Sequence, residues 1–312
     1  MEKKLPITVS IFMTFLSFHS NSSEQGISGE LGLFAQYQET KSNLSTGSDK
    51  VLTSLKNEGA SVSESSVFPL GNIQYQWGNH QVFIGQSEDT FVRGVLALEL
   101  GYRNQINRNS SLSVAIAPTV QGGEVWSNPY LVNDKREKTD SKGNVYRMKY
   151  EHQILTMDFA YYDRKIDTEA SPNKALNREG KGYFSKLAIS LPLSTSALIE
   201  PSVFYQMDDA QGSAMAFDKI GAGITASILS GHYTFVFDGR FSTSEYDATH
   251  PIFGVTREED KLHLGLLFEE REIFGDPQMS LIAQVTYEKS DANISFYDEE
   301  GVSFLIGGLY RF

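Results

Sequence analysis

Residues 302–312 read Val302-Ser-Phe-Leu-Ile-Gly-Gly-Leu-Tyr-Arg-Phe312. Val302, Phe304, Ile306, Tyr310 and Phe312 share one face of an extended chain, while Ser303, Gly307 and Arg311 fall on the other. A period of two is what a strand needs to show one side to an apolar medium and the other to something else. Leu305 is an apolar residue on that second face.

The same pattern recurs upstream. Leu96, Leu98, Leu100 and Tyr102 oppose Glu99 and Arg103. Tyr146, Met148 and Tyr150 oppose Arg147, Lys149 and Glu151. Ile220, Ala222, Ile224, Ala226 and Ile228 oppose Lys219, Gly221, Gly223 and Thr225. Fourteen such segments are expected: 27–39, 67–77, 80–86, 94–103, 111–121, 144–152, 155–166, 182–191, 197–206, 217–229, 232–242, 260–269, 279–289 and 302–312. No helical period is sustained over a long window. Repeated alternating segments separated by turn-rich stretches suit a transmembrane β-barrel, and a soluble sandwich is the competing fold.

Connection lengths separate the two. Links after odd segments are mostly long (40–66, 87–93, 122–143, 167–181, 207–216, 243–259 and 290–301), and links after even ones are short (78–79, 104–110, 153–154, 192–196, 230–231 and 270–278). A sandwich has no reason to keep this parity, whereas barrels in the outer membrane have long outer loops and short inner turns. The expected fold is therefore all-β, a transmembrane antiparallel up-and-down β-barrel of about fourteen strands with both termini periplasmic. Aromatic residues support it as two girdles: Tyr75, Trp77, Tyr102, Tyr150, Phe268 and Tyr310 near one set of strand ends, Tyr37, Tyr161, Tyr205, Phe241 and Tyr287 near the other.

Residues 1–22 read as a secretory signal, with Lys3 and Lys4 before an apolar run from Leu5 to Phe18 and small residues before a cleavage point after Ser22. That run is shorter than a bilayer-spanning helix requires. Residues 23–312 then form a single barrel domain located in the bacterial outer membrane. The chain has no cysteine, so backbone pairing rather than disulfides must hold an exported fold together. Its formal charge of −12 argues against a nucleic-acid partner.

Several stretches resemble a family of exported Gram-negative proteins known only as a domain of unknown function and regarded as porin-like outer-membrane barrels. They are Gly26-Ile-Ser-Gly-Glu-Leu-Gly-Leu33, Ala97-Leu-Glu-Leu-Gly-Tyr102, Trp126-Ser-Asn-Pro-Tyr-Leu131 with Arg136-Glu-Lys-Thr139, and Tyr310-Arg-Phe312. The resemblance runs over nearly the whole mature chain and implies fold and location rather than an activity. The last strand also resembles the carboxy-terminal signal read by the barrel assembly machinery, which makes Tyr310 and Phe312 candidate assembly residues.

Catalysis finds little support. An esterase needs a Ser beside an oriented His, and none of His80, His152, His232, His250 or His263 lies in a His-x-Ser arrangement. Asp208-Asp209 is similar to the paired acids of outer-membrane proteases but lacks the Asp–His pair, and it reads as a solvated turn. His250, beside Pro251, likewise reads as solvated. The acidic runs Glu258-Glu259-Asp260 and Asp298-Glu299-Glu300 read as loop-solubilising, with bridging cations on lipopolysaccharide as the sharper option. No enzyme, cofactor or metal site is expected.

What remains is a polar inner face. Alternation places Glu30, Glu99, Arg103, Arg147, Lys149, Asp158, Arg164, Asp238 and Arg240 in the lumen. Gln36, Gln74 and Gln284, with Phe34 and Tyr162, hint at sugars. The long loop 122–143 carries Trp126, Tyr130, Arg136, Glu137 and Lys138 and is expected to fold inward and narrow the pore, the alternative being that Trp126 and Tyr130 sit at the outer lipid interface. Its cations would face Glu99 or Asp158, and Glu137 would face Arg103 or Arg147. The expected function is passive diffusion of small hydrophilic solutes, sugars among them. The alternative is a non-conducting structural or adhesive protein that binds lipopolysaccharide or a surface partner through its loops.

Overall fold

The computed structural model describes residues 25–86, 96–121 and 123–312. The expected signal at 1–22 and the expected link at 87–93 lie outside these residues. Sixteen β segments follow in order: β1 (Gly26–Lys41), β2 (Ser61–Trp77), β3 (His80–Gln86), β4 (Leu96–Asn107), β5 (Ser110–Gln121), β6 (Gly123–Trp126), β7 (Lys138–His152), β8 (Leu155–Ile166), β9 (Gly180–Ile189), β10 (Leu191–Ser194), β11 (Ala197–Ala210), β12 (Phe217–Ser230), β13 (Tyr233–Thr249), β14 (Thr256–Arg271), β15 (Met279–Ala292) and β16 (Glu299–Arg311). β6 continues the stave begun by β5 along β7, and β10 continues β9 along β11, so the segments make a barrel of fourteen staves.

Among the described residues each stave pairs antiparallel with its neighbours in sequence, and β16 closes on β1 in a register running from Glu30↔Arg311 to Lys41↔Glu300. The β1–β16 seam therefore presents no open sheet edge, which a bilayer would not tolerate. Gly26 and Phe312 both lie at the end that carries the short turns.

The outer wall is apolar. Leu33, Val67, Leu100, Ile220, Phe241 and Ile306 are among many large hydrophobic side chains left open to the surroundings. A contiguous apolar surface of this extent belongs in hydrocarbon rather than water. Rings cluster at the rims: Tyr75, Trp77, His80 and Tyr102 form a stack at the turn end, and Tyr146, Tyr161 and Tyr183 pack together nearer the loop end.

Several strands are longer than alternation suggested. β2 begins at Ser61 rather than 67, and β13 runs to Thr249 rather than 242. The reason lies on the outward face. On β13 it passes from Phe235, Phe237 and Phe241 to Thr243, Glu245 and Asp247, and on β2 the outward residues beyond Val67 are Ser65, Ser63 and Ser61. Beyond the apolar belt the hydrogen-bonded ladder continues, but no lipid remains to demand apolar residues. The strand persists where its signature stops.

Candidate functional site: the lumen and its roof

The barrel encloses a continuous cavity of about 1320 Å³. It extends from Pro277 and Phe312 at the turn end to Trp126, Tyr130 and Tyr297 at the loop end. Glu30, Glu99, Arg103, Arg147, Lys149, Asp158, Arg164, Asp238 and Arg240 all border it. Among the described residues lining it, acids and bases are equal in number. The excess negative charge of the chain therefore sits elsewhere.

These charges pair along the wall. Arg147 Nε donates to Asp158 at 2.9 Å and its guanidinium stands 3.6 Å from Glu99. Arg164 grips Asp208 through two bonds of 2.9 Å, and the same carboxylate accepts from Tyr162 at 2.8 Å. Arg103 meets Glu151 over Ser111. Arg240 reaches Asp238 at 3.0 Å, and Lys261 reaches Glu288 at 2.8 Å. Arg311 bridges Glu30 and Glu269 at 3.3 and 2.6 Å. Each of these pairs lies within one stave or joins staves that are adjacent or next but one. Side chains paired between such close neighbours run along the wall rather than across the lumen.

Rings are laid flat by the same economy of space. A Cβ at Gly101 would stand 2.1 Å from the Phe83 ring, and one at Gly221 would stand 2.3 Å from the Phe204 ring. Only a glycine permits such a close approach across strands. One arc of the wall is apolar, where Phe34, Leu70, Val236, Leu267, Ile282, Leu305 and Leu309 pack together. That arc accounts for Leu305, an apolar residue on the inward face of the last strand: it is buried as a member of this cluster.

At the loop end the lumen meets a roof. Six connections contribute to one hydrophobic cluster: Leu44, Leu52 and Leu55 from 42–60, Tyr130 from 127–137, Ala175 and Leu176 from 167–179, Ala214 and Met215 from 211–216, Phe253 from 250–255, and Ile294, Phe296 and Tyr297 from 293–298. The first and third loops are also laced by backbone bonds, Asn133 N–H to Leu52 O at 2.7 Å and Arg136 N–H to Lys50 O at 2.8 Å. Trp126 and Arg136 are buried, with the guanidinium carbon 4.2 Å from the indole centroid.

The partners expected for the third loop are different ones. Arg136 donates to the backbone carbonyls of Asn43 at 2.7 Å and Asp49, not to Glu99 or Asp158. Burial pulls its pKa down to about 10, which leaves it a cation at neutral pH. Lys138 pairs with Glu124, and Glu137 with Lys135 at 2.9 Å on the exposed side. Loop carbonyls and local acids are nearer than the barrel wall, so they win.

Two residues read as solvated are buried. Asp208 lies on the inward face of β11 in the grip of Arg164, and His250 is fully covered within the roof. Ile252 N–H points to His250 Nδ1 at 3.2 Å, so the assigned tautomer carries its proton on Nε2 and donates to Tyr297 Oη at 2.8 Å. Tyr297 then donates to Tyr130 Oη at 2.6 Å, and Tyr130 to Met215 Sδ at 3.8 Å. An added proton on Nδ1 would confront the Ile252 N–H.

Burial, and then the nearby Arg257 cation, pull the His250 pKa from 6.5 to about 4. Separated loops would take up a proton near the ordinary value, and the closed roof only near the lower one. The closed roof is thus fully favoured above the ordinary value and loses stability as pH falls toward about 4. Hydrogen-exchange protection of roof amides such as Ile252, corrected for intrinsic rates, should fall at least tenfold between about pH 7 and about pH 4.5. His250→Gln should flatten that dependence, and equal slopes in both proteins would assign it to other groups.

Of the two acidic runs, Glu259 turns inward to Arg257 and Ser290, and Glu299 accepts from Ser42 at 2.8 Å. Among the described residues no group of three or more His, Asp or Glu is placed to hold a metal ion. Phe34 and Tyr162, the rings that hinted at sugars, are fully covered, the first by the apolar arc and the second against Asp208 and Gln206.

No curated protein matches the chain. Solved structures share its fold. A TodX monoaromatic hydrocarbon channel with deltaS2S3 mutations aligns with a TM-score of 0.51 at 10% identity, covering 92% of this chain and 90% of that one. The deltaS2 mutant of the same channel aligns at 0.50 and 9% identity, covering 92% and 91%. A closed antiparallel barrel with an apolar band and aromatic girdles is the architecture of bacterial outer-membrane proteins, and this protein is one of them. Residues 26–311 match the family described as protein of unknown function (DUF2860), and the chain belongs to that family.

Proposed function

We propose that the protein is an outer-membrane channel for small hydrophilic solutes, with its turn end and both termini in the periplasm and residues 1–22 removed on export. The observation that carries this reading is a cavity running the length of the barrel whose ion pairs are laid along the wall instead of across it. Charged groups lining a wet lumen set which solutes pass. A cargo without polar groups, such as the hydrocarbons named for the fold neighbour, would have to pass a wall lined by ion pairs. The balance of acids and bases favours weak selectivity between simple cations and anions. Tyr310 and Phe312 serve the insertion machinery, the belt meets membrane lipid, and the loop end faces lipopolysaccharide.

The roof favours a second reading, a non-conducting surface protein. Purified protein in a planar bilayer should give stable unitary steps with little ion preference. Silence from both the folded wild-type barrel and a variant lacking the third loop would sink the channel and leave the surface role. Orientation has its own check. An epitope inserted at 172–174, an exposed stretch of the fourth loop, should be labelled on intact cells; labelling only after the outer membrane is opened would invert the topology.

A further inference from the structure

Charge is sorted around the outer face of the barrel at its loop end. On β12, β13 and β14 three exposed carboxylates stand in one cross-strand row, Asp218↔Glu245↔Glu258. On β1, β16 and β15 an acid separates two lysines, Lys41↔Glu300↔Lys289. On β7 and β8, across the barrel from these, the exposed Lys142 and Lys165 are direct partners. Their strand neighbours Ser141 and Ile166 line the lumen, so both lysines point away from it. Like charges directly opposite repel. Lys165 has no hydrogen bond or ion pair among the described residues. Lys142 reaches Asp167 at 2.6 Å, but both side chains of that pair are about half exposed, and so open a pair holds its members weakly.

Below the lysines the wall changes character. Two rows nearer the belt, roughly 10 Å in height along tilted strands, come Tyr146↔Tyr161↔Tyr183, with ring centroids 6.1 and 5.3 Å apart. None of the three hydroxyls is bonded to another described residue. The row between holds Asn144, Asp163, Lys181 and Asp209. Asn144 donates to Asp163 at 3.2 Å, and Lys181 stands 3.9 Å from Asp209. The carboxylates at 163, 167 and 209 thus each have a partner, and the group left over is the Lys165 ammonium.

We infer that this face of β7, β8 and β9 is a docking site for lipopolysaccharide, held by the phosphates on its glucosamine headgroup. A phosphate between Lys142 and Lys165 removes their repulsion and gives Lys165 the partner it lacks. The sugar lies against the tyrosine row, where rings that are half apolar and half wet belong, and their hydroxyls meet its polar groups. The acyl chains run down over Met148, Phe159 and Leu187, all exposed on the belt. The carboxylate row on β12 to β14 repels the same phosphates, so the glycolipid is held on one side of the barrel. The inference deepens the reading that the loop end faces outward, and it rests on that reading.

Binding is measured on the purified barrel in detergent, where orientation plays no part. Lipid A carrying both phosphates, the same lipid dephosphorylated, and phosphatidylglycerol are titrated in turn, and retained lipid is counted by native mass spectrometry. The phosphorylated lipid A should bind at least about tenfold more tightly than either comparison lipid. Lys142→Gln with Lys165→Gln should weaken it at least about tenfold, since each ammonium beside an anionic headgroup contributes about fivefold. Lys41→Gln with Lys289→Gln removes the same charge from the opposite rim and should change nothing. Equal weakening by the two double variants would reduce the effect to net charge and overturn the site. Equal affinity for phosphatidylglycerol would overturn lipopolysaccharide as the occupant. Absent binding, with the 172–174 epitope labelled on intact cells, removes the site and keeps the orientation. Labelling only in opened cells overturns the orientation and the inference with it.

Discussion

Replacing residues 127–137 with a short Gly-Ser linker will raise the unitary conductance several-fold. The excised loop carries Tyr130, whose ring packs against His250, Phe253, Phe296 and Tyr297 at centroid distances of 5.3 to 6.5 Å. It also carries Arg136, whose bonds to Asn43 and Asp49 tie the first loop to the third. Without them the hydroxyl chain from His250 ends at Tyr297, and the apolar side chains of five other loops lose a shared neighbour. A buried aromatic removed from such a cluster costs about 3–5 kcal/mol, comparable with what holds a set of loops together. The barrel below survives, because the β6–β7 pairing from Gly123↔Ser141 to Trp126↔Lys138 lies outside the excision. Tyr130→Phe is the graded control. It keeps the ring, loses the bonds to Tyr297 and Met215, and should open the pore less. Unchanged conductance in the excised, heat-modifiable barrel would place the third loop outside the permeation path.

The barrel was legible because lipid imposes a rule on every second residue. Tyr146, Met148 and Tyr150 had to be apolar whatever their neighbours were, and the turn at 153–154 had to be short whatever the pore did. The lumen was legible by subtraction, since whatever did not face lipid faced inward. Pairing was not. Arg164 and Asp208 lie 44 residues apart on staves that are next but one, and no local pattern announces their bond. Asp208 was misread because the strand continues above the belt, where alternation no longer marks it. The roof was legible in one place only. The cost of leaving Trp126, Tyr130 and Leu131 in water pointed to a packed third loop, and the same argument applied to Phe253, Phe296 and Tyr297 would have gathered the others. What no loop sequence shows is which apolar cluster meets which, because loops carry no period and their partners are fixed by the barrel's circumference.

Deleting Phe312 will cut the amount of membrane-inserted, heat-modifiable barrel several-fold in cells and leave export across the inner membrane intact. Its backbone closes the seam: Gly29 N–H donates to Phe312 O at 2.9 Å, and Phe312 N–H returns to Gly29 O at 3.0 Å. Its ring stacks on Tyr310 at 6.4 Å on the outer face of the turn end. Truncation would also move the terminal carboxylate onto Arg311, whose guanidinium already serves Glu30 and Glu269. Two hydrogen bonds at about 1 kcal/mol each and a ring contact of about 1 kcal/mol would lower the stability of the refolded barrel by roughly 3 kcal/mol, a modest effect for a closed barrel in detergent. The loss in cells should be larger than that destabilisation explains if the residue is also read during insertion. Phe312→Ala separates the two roles. It keeps both seam bonds and leaves the carboxylate in place, so refolding in vitro should be nearly normal while insertion in cells falls. Normal insertion of Phe312→Ala beside poor insertion of the deletion would leave the residue a seam element alone, and normal insertion of both would remove it from assembly altogether.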